Sequence, residues 1–185
     1  MRNNQPALLT LMNQQHSLLT RIRQTRGVKT TVELFVLLVI FFTVQSWMQR
    51  DMVKGMAPPI HARLLDGTNF SLQAAQGEPV LVHFWAVWCG ICKLEQGTIH
   101  ALSKTHRVIT IASQSGSTAE VSQFMQQQQL DFPVINDPDG DIARLYGVRG
   151  FPTSFILHPD GRIAYSQTGY TTGWGLRIRL WLANN

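Results

Sequence analysis

Cysteine is scarce in this chain of 185 residues, which has only Cys89 and Cys92. One Cys-x-x-Cys pair supplies two metal ligands, whereas zinc takes four, and there is no second pair to complete such a site. Lys93 follows the second cysteine where a c-type haem attachment needs histidine. A structural bridge here would close a very short loop and so stabilise the fold least. The spacing therefore favours a reversible dithiol couple over a structural bridge or half of a metal site.

Acidic residues are few near the N-terminus. Up to Lys54 there are seven basic and two acidic residues, an excess of five that equals the net charge of the whole chain. Residues 55–185 carry nine residues of each sign and are formally neutral. Proteins that bind nucleic acid concentrate positive charge on the binding surface, so this larger part gives no electrostatic reason to expect nucleic acid as a partner.

Only one apolar run approaches the length needed to cross a membrane, residues 31–48. A spanning helix takes about 20 mostly apolar residues. The bulky and charged end of the run, QSWMQRDM, offers no small-x-small cleavage site, which argues against a cleaved signal peptide. The basic segment before it, residues 1–30, favours a cytoplasmic N-terminus. We therefore expect a single-pass anchor in the inner (cytoplasmic) membrane, a linker over 49–57 and a periplasmic domain over 58–185.

The segment after the linker alternates between strand and helix patterns. ARLLDGTNFSL contains an Asp-Gly turn signal and predicts a β-hairpin, and PVLVHFWAV predicts a buried strand. A helix is expected from Cys89 to about Ser103. A strand, a helix, a short strand with a short helix, a Pro-Asp-Gly hairpin and a closing helix follow. This order predicts an α/β fold with a mixed central β-sheet flanked by helices on both faces.

The predicted position of the cysteines, at the start of a helix, distinguishes their roles. Unpaired N–H groups at a helix N-terminus carry about half a positive charge, which favours a thiolate. Cysteines in such settings have pKa values of roughly 3.5–7.5 instead of about 8.5. Cys89 is therefore predicted to be the nucleophile, and Cys92, one turn further along, the resolving thiol that closes the disulfide.

The stretches FWAVWCGICKLE and GVRGFPTSFIL resemble the thioredoxin superfamily, in particular its membrane-anchored TlpA-like branch. That branch includes cytochrome c maturation thioredoxins and suppressor-of-copper-sensitivity D proteins. The resemblance extends over about Pro58 to Ala183 and implies a thioredoxin-like fold with a leading hairpin. It also implies that Pro152 is the family's cis-proline beside the disulfide, and that Glu95 is the acid that tunes and relays the proton of the resolving thiol.

One position departs from the family pattern. Thioredoxins usually have a buried aspartate six residues before the first cysteine, and many TlpA-like proteins have asparagine, whereas this chain has His83. This histidine is either a proton shuttle below Cys92 or a core histidine satisfied by a neighbour. The expected contacts with substrate are residues that flank the cysteines and the proline, namely Trp88, Gly90, Ile91 and Phe151.

The resulting hypothesis is a membrane-tethered periplasmic thiol–disulfide oxidoreductase. We expect it to reduce disulfides of partner proteins in copper tolerance or cytochrome c maturation, with electrons from a transmembrane reductase. No metal and no cofactor other than the Cys89–Cys92 disulfide are expected. A second hypothesis is a copper(I)-binding or chaperone module without disulfide exchange, because soft thiolates suit copper(I). The absence of any other Met-rich or Cys-rich tract argues against it.

Overall fold

The structure is a computed structural model that describes residues 30–44, 46–47 and 49–184. The predicted cytoplasmic segment lies outside the described residues except for Thr30, and so do positions 45 and 48 of the predicted anchor. Residues 30–44 form helix α1. No helix formed by the described residues is both long and apolar enough to cross a membrane. The chain divides into two compact units, Met1–Ser46 and Trp47–Asn185.

The second unit contains seven strands and four helices, and their order confirms the predicted one. In chain order they are β1 (His61–Arg63), β2 (Asn69–Ser71), β3 (Val80–Trp85), α2 (Gly90–Ser103), β4 (Arg107–Ser113), α3 (Thr118–Gln127), β5 (Val134–Asp137), α4 (Asp141–Leu145), β6 (Thr153–Leu157), β7 (Ile163–Thr168) and α5 (Gly173–Ala183). A short 3-10 helix at Gln73–Ala75, which was not predicted, follows the hairpin.

Five strands form the central sheet in the order β5-β4-β3-β6-β7. β3 runs parallel to β4 and antiparallel to β6, so the sheet is mixed, as predicted. The leading hairpin, β1 and β2, is a separate two-stranded sheet whose turn is held by Asp66, since its carboxylate accepts a 2.9 Å hydrogen bond from the backbone of Thr68. The main chain of Leu65 joins this hairpin to Val134 on β5 at 2.9 Å.

Successive side chains of a strand point to opposite faces, so β3 contributes to two cores. One face carries Leu81 and Trp85 and packs with both cysteines against α2, α3 and α5; we call it the cysteine core. The other face carries Val82 and Phe84 and packs with Tyr146 and Phe155; we call it the aromatic core. α4 contributes Ala143 to the aromatic core, which confirms helices on both faces of the sheet.

Candidate active site

The two cysteines are joined by a disulfide at the start of α2, with their Cα atoms 5.3 Å apart. Strand β3 ends at Trp85, and a turn closed by a 3.1 Å hydrogen bond from Cys89 N to Ala86 O leads into the helix. Cys89 is the N-cap residue, and its Sγ accepts a 3.1 Å hydrogen bond from the backbone N–H of Cys92. A helix N-terminus stabilises negative charge on such an atom. Cys89 therefore occupies the position that favours a thiolate.

The two sulfurs differ in how they meet solvent. Cys89 is 6% exposed, whereas Cys92, in the first turn of α2, is 1% exposed. Gly90 and Ile91, which lie between them, are exposed. An incoming sulfur atom consequently reaches Cys89 more easily than Cys92.

An aromatic pair borders the cysteines. The rings of Trp88 and Phe151 meet edge to face with centroids 5.8 Å apart, and Phe151 packs against the cysteine core. Trp88 Nε1 donates a 2.8 Å hydrogen bond to the carbonyl of Gln114, which fixes the indole beside the disulfide loop. The peptide bond between Phe151 and Pro152 is cis, as the resemblance implies. The Pro152 carbonyl accepts a 2.8 Å hydrogen bond from Gly169 N.

A surface groove of about 320 Å³ lies next to Trp88, between the first turn of α2 and helix α3. Val87, Trp88 and Phe124 give it an apolar floor, and Lys93 lies over the Phe124 ring at 5.7 Å from its centroid. Glu120, Gln123 and Gln127 form its polar edge. The groove is therefore lined by both apolar and polar side chains.

Glu95 is a buried acid on the same face of α2 as Cys92, with 1% of its surface exposed. One carboxylate oxygen, Oε1, accepts a hydrogen bond from Thr171 N, and Oε2 has no hydrogen-bond partner among the described residues. Burial raises the pKa of Glu95 to about 7, and the bond from Thr171 offsets only part of that rise. Near neutral pH both protonation states are therefore populated, as a proton relay requires.

His83 lies in the middle of β3, buried on the face of the sheet that carries Leu81 and Trp85. Its Nδ1 is 3.0 Å from the hydroxyl of Ser154 on β6. Burial lowers the pKa of His83 to about 4, so the imidazole stays neutral between pH 5 and 8. Over that range His83 is a hydrogen-bonding group and does not change its charge.

Three polar residues of this region were not singled out from the sequence. Thr171 binds Glu95 across 76 positions of the chain, and Ser154 binds His83 across 71, so neither has a local sequence signal. Gln96 is buried on the inner face of α2, and its Nε2 lacks a partner within the part of the chain that the structure describes. Its spacing of four residues from Cys92 is a signal that places it on that face.

The described residues contain no group of three or more His, Cys, Asp or Glu side chains that are arranged to hold a metal ion. Both cysteines of the chain are engaged in the disulfide. What the arrangement offers chemically is a reactive sulfur at a helix N-terminus, a buried second sulfur behind it, and a buried acid one turn further along the helix.

Comparisons with known proteins agree with this chemistry. The family model described as the AhpC/TSA family matches residues 53–166. A thioredoxin-like protein of Haemophilus influenzae is 31% identical over 157 residues, which cover 84% of this chain and 93% of that protein. A thiol-disulfide oxidoreductase ResA of Bacillus thuringiensis subsp. konkukian is 31% identical over 142 residues, covering 75% and 80% of the two chains.

Solved structures give the same result for the fold. The crystal structure of a Chlorobium tepidum protein named as thiol:disulfide interchange protein DsbE superposes with a TM-score of 0.64 at 28% identity. The superposition covers 71% of this chain and 98% of the other. A second Chlorobium tepidum structure, named as a thiol:disulfide interchange protein of the thioredoxin family, gives a TM-score of 0.63 at 24% identity, over 72% of this chain and 98% of the other.

Proposed function

The chain belongs to the AhpC/TSA family of thioredoxin-like proteins and is a thiol–disulfide oxidoreductase, and from that premise we propose that it reduces disulfides of partner proteins in the periplasm while residues 31–48 hold it at the inner membrane. One observation carries the proposal. The Cys89–Cys92 disulfide caps α2, and the buried carboxyl of Glu95 follows one turn later on the same helix face.

The first chemical step uses the reduced pair. The Cys89 thiolate attacks one sulfur of a substrate disulfide, which forms a mixed disulfide and releases the other substrate sulfur as a thiolate. The helix N-terminus favours the attacking thiolate because the backbone N–H of Cys92 donates to Cys89 Sγ.

The second step closes the internal disulfide. Cys92 loses its proton and attacks Cys89 Sγ, which releases the second substrate thiolate and leaves Cys89 and Cys92 oxidised. Two electrons have then moved from the pair to the substrate. Cys92 is nearly fully buried, so a nearby base must take its proton, and we assign this role to Glu95, whose pKa of about 7 suits it. His83, which is neutral in the same pH range, is assigned to support the polar surroundings of the pair through Ser154.

Substrate contacts are assigned to the rim of the disulfide. Trp88 and Phe151 offer an aromatic edge, and Gly90 and Ile91 are exposed at the start of α2. Phe151 packs against the cysteine core, and Pro152, which follows it, is assigned to the same rim. A peptide chain that carries the disulfide is expected to extend from this rim into the groove over Phe124.

The membrane tether and the electron donor belong to the same proposal. Helix α1 exposes a series of large apolar side chains, from Val32 to Val44, and the preceding segment is basic. A transmembrane reductase would return two electrons to the Cys89–Cys92 disulfide after each turnover.

Resistance of the full chain to alkaline extraction from membranes tests the tether. A periplasmic signal from a C-terminal alkaline phosphatase fusion tests the orientation.

Replacement of Cys92 with Ala tests the exchange mechanism. The resolving step is then blocked, so the partner protein stays attached to Cys89 and can be identified on a non-reducing gel. The matched control is the double variant with both cysteines replaced, which should trap nothing. A folded Cys92→Ala chain that captures no partner in cells would reject the exchange mechanism.

The identity of the trapped partners and the resting redox state in cells test the remaining parts. An apocytochrome c or a copper-tolerance protein on Cys89 would decide between the two physiological settings. A reductant is expected to be held mainly as the dithiol, which thiol alkylation after acid quenching measures. A pair that stays fully oxidised in cells would reject the direction of electron flow and leave the exchange chemistry in place.

A further inference from the structure

Helix α5 is apolar on two faces. Leu176, Leu180 and Ala183 recur with helical spacing and are buried in the cysteine core. A second set, which we call the α5 stripe, recurs with the same spacing on the outer side and consists of Trp174, Ile178, Trp181 and Leu182. An apolar face of a helix ordinarily packs against a core.

The α5 stripe is nevertheless open to solvent in this chain. Trp174 is 75% exposed, Trp181 66% and Ile178 55%. Single exposed apolar residues are ordinary, but large ones that recur along one helix face mark a contact surface. The stripe lies opposite the buried face, so the cysteine core cannot cover it.

Charge indicates what covers the stripe. Arg177 and Arg179 border it on its two sides, because a helix turns about 100° per residue. Residues 161–185 contain no aspartate or glutamate. One acidic residue, Glu78, lines a groove together with Trp181, but it forms an ion pair with Arg107, with its Oε2 3.8 Å from Arg107 Nε. The stripe is thus an apolar strip between cationic edges.

This pattern fits a membrane surface better than a second copy of the chain. Two α5 helices packed stripe to stripe would bring arginines together without any acidic residue of the helices between them, which is unfavourable. An anionic lipid surface pairs with the arginines, and tryptophan is enriched at the level of lipid headgroups. Interfacial helices combine these two features.

We propose that the α5 stripe binds the headgroup region of an anionic phospholipid membrane, with α5 parallel to the surface. The proposal rests on the membrane location given under Proposed function but not on the cysteine chemistry. It gives the outer domain a second, reversible membrane contact in addition to the tether, with the α5 stripe as the surface that meets the lipid.

The test uses the full chain in nanodiscs of phosphatidylcholine alone or with phosphatidylglycerol, each with plain or brominated acyl chains. Bromine quenches indoles that enter the headgroup and acyl boundary. Wild type is compared with a variant in which Trp174 and Trp181 are both replaced by Phe, so that the difference in emission isolates these two indoles. We expect brominated anionic discs to reduce that difference by roughly half or more, since interfacial helices lie about 5–10 Å into the boundary.

Two further variants serve as controls. The difference between wild type and Trp88→Phe isolates the emission of Trp88, which is also exposed but lies outside the stripe. That emission should be equal in plain and brominated lipid. The double variant Arg177→Gln with Arg179→Gln should lower the equilibrium constant for binding of the α5 stripe to anionic discs by roughly five-fold for each arginine. All stripe variants should reduce a soluble disulfide at the wild-type rate, which verifies that they are folded.

The outcomes separate this proposal from the proposed function. A chain that co-elutes with anionic discs but shows equal emission from Trp174 and Trp181 in plain and brominated lipid overturns the stripe proposal alone. Quenching that is equally strong in phosphatidylcholine discs overturns the requirement for anionic lipid. A chain that fails to co-elute with discs overturns both the stripe and the tether, whereas the cysteine trap still tests the exchange mechanism.

Discussion

The cysteine core and the aromatic core are built from alternate residues of the same strands, yet they differ in whether their buried polar atoms have hydrogen-bond partners. In the aromatic core the Tyr146 hydroxyl donates to the Pro58 carbonyl at 2.8 Å. Asp137, at the end of β5, accepts from the Ser113 hydroxyl and from the backbone N–H groups of Ile142 and Ala143 in the first turn of α4. On the other face, five buried atoms have no partner among the described residues: Trp85 Nε1, Glu95 Oε2, Gln96 Nε2, Asn136 Oδ1 and Thr171 Oγ1.

An unsatisfied buried polar group costs about 1–3 kcal/mol, so a core that keeps several of them sacrifices stability. Native proteins tolerate such groups mainly where function requires them. The difference therefore separates the two tasks of the sheet. The aromatic core stabilises the fold, whereas under the proposed function the cysteine core keeps the Glu95 carboxyl and the Cys92 thiol in a setting where their protons can move.

The strongest test of this division removes a ring from the aromatic core. Phe155 packs against Phe84 and Tyr146 with ring centroids 5.8 and 5.2 Å away. Phe155→Ala should lower the free energy of unfolding by about 3–5 kcal/mol, as large-to-small changes in cores do. Urea denaturation measures this loss. The rate of disulfide exchange per folded molecule should stay at the wild-type value, and a fall in that rate would show that the two cores are not separable.

The second test removes the buried acid. The folded-state pKa of Glu95 is about 7, above its ordinary value of 4.5, so its contribution to stability is complete below pH 4.5 and is lost as the pH rises through 7. Glu95→Gln should therefore be more stable than wild type at pH 8, by up to about 3 kcal/mol, with little difference at pH 4.5. Thermal denaturation at the two pH values measures the change.

Glu78→Gln, which removes an exposed acid, is the matched control and should change stability by less than about 0.5 kcal/mol. Glu95→Gln should also remove the inflection near pH 7 from the pH profile of disulfide exchange. A variant that gains stability at pH 8 but keeps that inflection would show that the carboxyl is buried without acting on the thiol.

Features of the fold that depend on neighbouring residues could be predicted from the sequence, whereas features that depend on contacts between distant segments could not. The helix from Cys89 to Ser103 was predicted nearly to its observed bounds, because its cap and its apolar spacing are local features. The order of the elements was also predictable from periodicity and turn chemistry. The strand order of the sheet and the short 3-10 helix at Gln73–Ala75 were not, because both depend on contacts between distant segments.

The candidate site divides in the same way. The cysteines, Glu95 and Pro152 occupy fixed spacings within motifs, so the sequence sufficed to single them out. The sequence left two roles open for His83, and the register of β3 with β6 then placed Ser154 opposite it. A protonation state depends on burial, which no local pattern reports. The low pKa of His83 therefore required the structure.

The third test concerns that imidazole. Because the folded-state pKa of His83 is about 4, below its ordinary 6.5, its contribution to stability is complete above pH 6.5 and is lost as the pH falls through 4. Between pH 7 and pH 5 wild type should lose about 2 kcal/mol more than His83→Asn. Denaturant titrations at the two pH values measure this. An unchanged exchange profile of the variant from pH 5 to 8 would remove His83 as a proton shuttle.

The smallest expected effect isolates the bond between His83 and Ser154. Ser154→Ala should lower the free energy of unfolding at pH 7 by about 1 kcal/mol, because the 3.0 Å contact with Nδ1 is lost and the imidazole stays buried. In a double-mutant cycle with His83→Asn the two changes should be non-additive by a similar amount, since each removes the same bond. Additive losses would mean that His83 is held by packing alone.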